Sequence, residues 1–405
     1  MTETRVPRGA RVRLGAVDGS LHVESGARIE ADGRVVVNGT ATFDGRVEVV
    51  GDLECLRLEA DDGTLRITGS LRVAQDIRCR DGELEVLGAL EARRVDVDRT
   101  LSVSGPVTAD EVEVGGVLEG GATLSARKVS VGGKFGLVGK LSATSVEAGG
   151  SIELHEVDCE SLEVGGFVRI GGGTVRRSIA VGGRFLAEGP LTFGSLEAGG
   201  MAEFRENATG GSIEIGGLLT AHRDLAFDHL EIGGIGEIHG NAKGTTVEAG
   251  GKIEVQGALD LTGLLEAGGS IRVGAALSAA SLEIGGSLEA ERALLSGSAE
   301  IGGSVQTRSG LKAARIELHR RAHAKGPLVG GTVTLDRGAR AEDVYGERVV
   351  LEEKAGAHRI FAERVRVADG AEVSAIVYTQ ECSTSERALV TSPPRRESAL
   401  PPFPL

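Results

Sequence analysis

The sequence predicts an all-β fold, a single-stranded right-handed parallel β-helix with three short strands in each coil of about 17 residues. Three observations carry that expectation. Gly-Gly pairs begin at Gly115, Gly132, Gly149, Gly165, Gly182, Gly199, Gly216, Gly233, Gly250, Gly268, Gly285 and Gly302, spaced by 17 residues with a single 16 and a single 18. Before each pair runs an apolar, Glu, apolar phrase such as Val247-Glu248-Ala249, which has the two-residue period of a strand. A composition of 63 Gly, no Trp, two Tyr and nine Phe describes many turns around a thin core of small aliphatic side chains.

In chain order, residues 1–10 read as a flexible N-terminal segment with Pro7 and Gly9, residues 11–381 as the β-helix, and residues 382–405 as a disordered Pro-containing tail. Between Arg11 and Val97, runs such as Arg46-Val47-Glu48-Val49 and Glu83-Leu84-Glu85-Val86 are cut by Asp-Gly or Asn-Gly at positions 18, 32, 38, 44, 62 and 81. These are strand and corner signals, because Asp, Asn and Gly tolerate positive φ. Spacing is too loose there to set the register of the first coils. Asn-Gly between alternating runs is also a hairpin signal; the join to the regular array favours one solenoid throughout.

In the array, with the first Gly of each pair as zero, apolar residues fill positions three and five, as in Ile152 and Leu154 or Ile253 and Val255, with a polar residue between. Nine places on, Leu124, Leu141, Leu191, Leu225, Leu259, Leu277, Leu294 and Leu311 mark a second inward face. The third face ends just before the glycines. The phase continues through Thr332-Val333-Thr334-Leu335 and Val365-Arg366-Val367 to about residue 379, giving about 20 coils and, at about 4.8 Å per coil, a rod on the order of 100 Å long.

A net charge of −14 and a pI of about 5.2 argue against general attraction to nucleic acid or anionic lipid and favour a basic partner. Cys55, Cys79, Cys159 and Cys382 lack the paired spacing of zinc or redox motifs and suit reduced thiols in a cytoplasmic protein. Neither an export signal nor a run of 18 apolar residues is present, so export and membrane spanning are not expected, and membrane association is left open.

The sharpest chemical feature is the Glu two places before each pair. Glu113, Glu147, Glu163, Glu197, Glu214, Glu231, Glu248, Glu266, Glu283, Glu300 and Glu317 are expected to form one outward column, interrupted by Ser130 and Ala180. A solvated face that prevents lateral sticking outweighs a divalent-cation site, because hard cations need oxygens converging from a tight loop. His155, His222 and His239 share one exposed column, and His319 and His323 flank Arg320 and Arg321 in a basic corner. Gly233-Gly234-Ile235-Gly236-Glu237 is a lone near-match to a calcium nonapeptide, expected to be part of a coil. Phe193 and Phe227, alternating with Gly210 and Gly244, are expected to fill core; Phe403 lies in the tail. No phosphate loop, His-Glu-x-x-His or Gly-x-Ser-x-Gly is present. No catalytic, cofactor-binding or metal-binding residue and no cofactor are expected.

Val365-Arg366-Val367-Ala368-Asp369-Gly370-Ala371-Glu372-Val373, Thr334-Leu335-Asp336-Arg337-Gly338-Ala339 and Gly19-Ser20-Leu21-His22-Val23 resemble the bactofilins, the polymer-forming cytoskeletal proteins. The chain looks like an unusually long member of that family. The resemblance implies a right-handed β-helix between tails and end-to-end polymerisation without nucleotide. The expected function is therefore a self-assembling cytoplasmic scaffold, not an enzyme, whose partner is itself and which recruits other proteins through its tails or its Glu face. The alternatives are a non-polymerising adaptor that binds along the acidic face and, with less support, a carbohydrate-active β-helix enzyme.

Overall fold

A computed structural model describes residues 3–403 as strands joined by tight corners, with no helix among them. The outermost two residues of the expected N-terminal segment and of the expected tail lie outside the described residues. The chain divides into two compact units, Met1–Gly199 and Gly200–Leu405.

In the first unit Thr100–Val103 pairs with Val117–Gly120, Val107–Thr108 with Leu124–Ser125, and Glu111–Val114 with Lys128–Val131. Each partner lies 17 residues on, so three strands make a coil and each strand bonds to its equivalent in the next coil. The second unit repeats this arrangement, with Leu218–Ala221 on Ile235–Ile238, Leu225–Ala226 on Ala242–Gly244, and His229–Ile232 on Thr246–Ala249. The early coils follow the same rule with steps of 17 to 20 residues: Glu3 pairs with Ser20, Arg28 with Glu48 and Val47 with Leu65, all in parallel. The Asp-Gly sites are thus coil corners rather than hairpin turns. Glycine takes the positive φ at Gly19, Gly33 and Gly45, and the aspartate itself does so at Asp62 and Asp81.

The two units together hold about 23 turns rather than the expected 20 or so. The difference lies partly at the ends. Glu3–Val6 pairs with Ser20–Val23, Leu389–Val390 with Glu372–Val373, and Arg395–Arg396 with Val377–Tyr378, so strand pairing begins before residue 11 and runs past residue 381. A terminal coil has a neighbour on one side only. Its backbone can pair without the apolar alternation that marks an interior coil.

Side chains alternate across each strand, so two positions per face point inward, as Leu118 and Gly120 or Val129 and Val131 do. Full burial of one Leu, Ile or Val contributes about 1.5–3 kcal/mol before conformational entropy is subtracted. Large residues sit over small ones. A Cβ at Gly244 would meet the Phe227 ring at 2.2 Å, and one at Gly120 would meet Leu137 Cδ1 at 2.3 Å. Phe193 and Phe227 are accordingly core residues, each only 5% exposed.

Leu294 departs from the expected inward column. Ala276 pairs with Arg292 and Leu277 with Ala293 after a register shift, so Ala293 and Leu295 are buried while Leu294 faces outward. The corner at Glu291 is one residue shorter than its neighbours, and a slip of one residue exchanges the two faces of a strand.

Candidate functional site

The outer face of the strand before each glycine pair carries the glutamates, since the flanking apolar residues claim the inward positions. In the first unit Glu147 pairs with Glu163, and Ala180 separates Glu163 from Glu197. Ser130 likewise separates Glu113 from Glu147. The second unit has no interruption: Glu214, Glu231, Glu248, Glu266, Glu283, Glu300 and Glu317 are successive register partners. Two charges at strand spacing repel by about 1 kcal/mol in a water-like dielectric. Lys128 stands 3.4 Å from Glu147, Arg315 3.8 Å from Glu317, and His319 Nε2 3.9 Å from Glu300. Glu214, Glu231, Glu248, Glu266 and Glu283 have no cationic partner at salt-bridge distance among the described residues.

Beside the carboxylates runs a hydroxyl column that sequence reasoning missed. Ser145, Ser161, Ser178 and Ser195 are register partners in the first unit, and Ser281 and Ser298 occupy the equivalent position in the second. The same 17-residue count that found the glutamates would have found them. Also missed was a corner ladder in the second unit. Asn207 Oδ1 accepts from the Asp224 N–H, Asp224 Oδ1 from the Asn241 N–H, and Asn241 Oδ1 from the Ala258 N–H.

His222 and His239 keep the expected exposed column, one coil apart. His222 and His239 meet edge to face with ring centroids 5.3 Å apart, and His222 Nε2 is 3.3 Å from Glu203 Oε1. His155 belongs to the first unit, on a shallow groove of about 590 Å³ near Gly136 and Val138. The charges around that groove engage one another across coils: Lys134 lies 3.6 Å from Glu153 and Arg169 2.8 Å from Glu188. His319 opens the expected basic corner, in which Ala322 N–H donates to the His319 carbonyl and Arg321 takes φ +63°. Gly233-Gly234 is a coil corner leading into the strand Ile235–Ile238. No three His, Cys, Asp or Glu side chains among the described residues converge in a metal-binding arrangement.

Cys55, Cys79, Cys159 and Cys382 are all free thiols. Burial pushes the first three up to about 12 and raises the Cys382 thiol as well. A thiol held neutral in this way is a poor nucleophile.

No protein-family model, no curated protein and no solved structure matches the chain. No helix among the described residues is long and apolar enough to cross a membrane.

Proposed function

We propose that the chain is a self-assembling structural protein, a right-handed β-helix whose copies join end to end into nucleotide-independent filaments that scaffold other cytoplasmic components, in the manner of an unusually long bactofilin. The state of the terminal strands carries this reading. Glu3–Val6 pairs with Ser20–Val23, and Leu389–Val390 with Glu372–Val373, each on one side only among the described residues. An open parallel edge is a template for another strand, and the first coil of a second copy presents the complementary edge. Four free cysteines support a reducing compartment. The mutual pairing of charged residues in the groove beside His155 supports a non-catalytic role.

Negative-stain electron microscopy of the purified chain, with and without nucleotide, tests the proposal. The expected outcome is filaments in both. Strict monomers across salt, pH and concentration would overturn it and leave the second reading, an adaptor that takes a basic partner along the uninterrupted glutamates of the second unit. That reading rests on the five carboxylates from Glu214 to Glu283 that lack a cationic partner at salt-bridge distance.

A further inference from the structure

Six of the nine phenylalanines are core residues, namely Phe43, Phe135, Phe185, Phe193, Phe204 and Phe227. Of the aromatic residues left outside the core, three meet at one place on the outer face of the second unit. Tyr345 and Phe361 are register partners one coil apart, and their rings stack at 4.8 Å with an interplanar angle of 14°. Phe403 comes back from the C-terminal segment to stand edge-on to Tyr345, with centroids 6.1 Å apart at 86°. Both geometries are favoured by the ring quadrupole.

The route of the segment fits this contact. Arg395 and Arg396 pair with Val377 and Tyr378, and Val377, Phe361 and Tyr345 form one register column. From Arg395 the chain must therefore travel back three coils, about 14 Å, to reach Tyr345. The residues after Arg396 include Pro401 and Pro402, which hold an extended conformation with little entropy left to lose. The platform is itself fixed. Arg359 lies over the Phe361 ring at 5.9 Å, and Asp343 Oδ1 accepts from Arg359 Nε at 2.8 Å while its other oxygen accepts from Nη2. Grooves that take proline-rich peptides are lined by aromatic side chains.

We propose that the outer face around Tyr345 and Phe361 is a recognition site for an aromatic residue presented on a proline-rich strand, and that the chain's own segment 400–403 is the occupant, held in cis. The tether gives that segment an effective concentration on the order of millimolar, so a free copy of the same peptide must compete with it. The site does not depend on filament formation, and its test can fail while the scaffold reading stands.

The native chain has no Trp, so Phe403→Trp supplies a single reporter in the full-length protein. Its emission is expected to be blue-shifted from that of a free peptide of residues 397–403 bearing the same change, and Tyr345→Ala in that background is expected to return it to the peptide value. A labelled peptide of residues 397–403 is then titrated into the Phe403→Ala chain and the unaltered chain. Binding about tenfold tighter to Phe403→Ala, and lost in Phe403→Ala with Phe361→Ala, supports the site. Emission equal to the free peptide, or equal binding to both chains, or binding to neither, overturns it. Tyr345 and Phe361 face outward, and the β-sheet circular dichroism of each variant is expected to match the unaltered chain.

Discussion

A methyl group added at Gly286 would lie 1.8 Å from the Gly269 carbonyl oxygen, whereas at Gly285 the nearest atom would be 3.8 Å away. Neither residue takes a positive φ. The second glycine of the pair is therefore required by the close approach of stacked backbones, not by conformational freedom, and the first is not required at this level. Gly286→Ala is expected to destabilise by about 3 kcal/mol or more and Gly285→Ala by less than about 1 kcal/mol, read from denaturant midpoints. Equal effects would remove the stacking argument. The buried thiols make a second prediction at this scale. In the native protein at pH 8 a thiol reagent should modify Cys382 alone, with Cys55, Cys79 and Cys159 reacting only on unfolding; rapid reaction of all four would contradict their burial. Their folded-state pKa values lie above the ordinary value of 9.0, so the proton is held more tightly in the folded chain. The stability they contribute is full below pH 9.0 and is lost as pH rises towards about 12.

The strand carrying Glu248 shows how far an element can be read from its sequence. Its in-out alternation was legible because the two flanking apolar residues, Val247 and Ala249, have only one buried face to occupy. The same count located the glutamate ladder but gave no account of its charge, which depends on how few cations stand beside it. Glu248 has glutamates on both sides in register and no cationic partner at salt-bridge distance among the described residues. Glu248→Gln is thus expected to raise the melting temperature at low salt, and the gain should shrink towards zero near 1 M salt, where screening acts within about 3 Å. A salt-independent change, or a loss of stability, would mean that the ladder is compensated by something other than solvent. Corners were less legible than strands. Leu294 turns outward because the corner at Glu291 is a residue short, and a periodic count carries no warning of that. The contact between Phe403 and Tyr345 has no periodic signal at all, since a segment lying across the coils obeys none of their spacing.

For the molecule as a whole, the proposed assembly turns on what lies at its two open edges. The last coil keeps its backbone paired through Leu389–Val390 and Arg395–Arg396, and its inward-facing Val390, stacked on the buried Val373, is itself only half-buried. In the interior the same column is covered by the coil that follows, as Ala357 is by Val373. An inward valine left uncovered on the last strand is the arrangement expected of a coil that continues into another copy. Val390→Asp would place a carboxylate at that junction, where burial without a partner is costly. Because Val390 is only half-buried at the open edge of the single chain, the melting temperature at dilution should fall only slightly while filaments give way to monomers in sedimentation velocity. Phe403→Ala serves as the matched control, since it alters the outer face beside Tyr345 and leaves the terminal strand intact; it should leave filament length as it is. Filaments that persist in Val390→Asp would exclude the C-terminal coil as the joining surface.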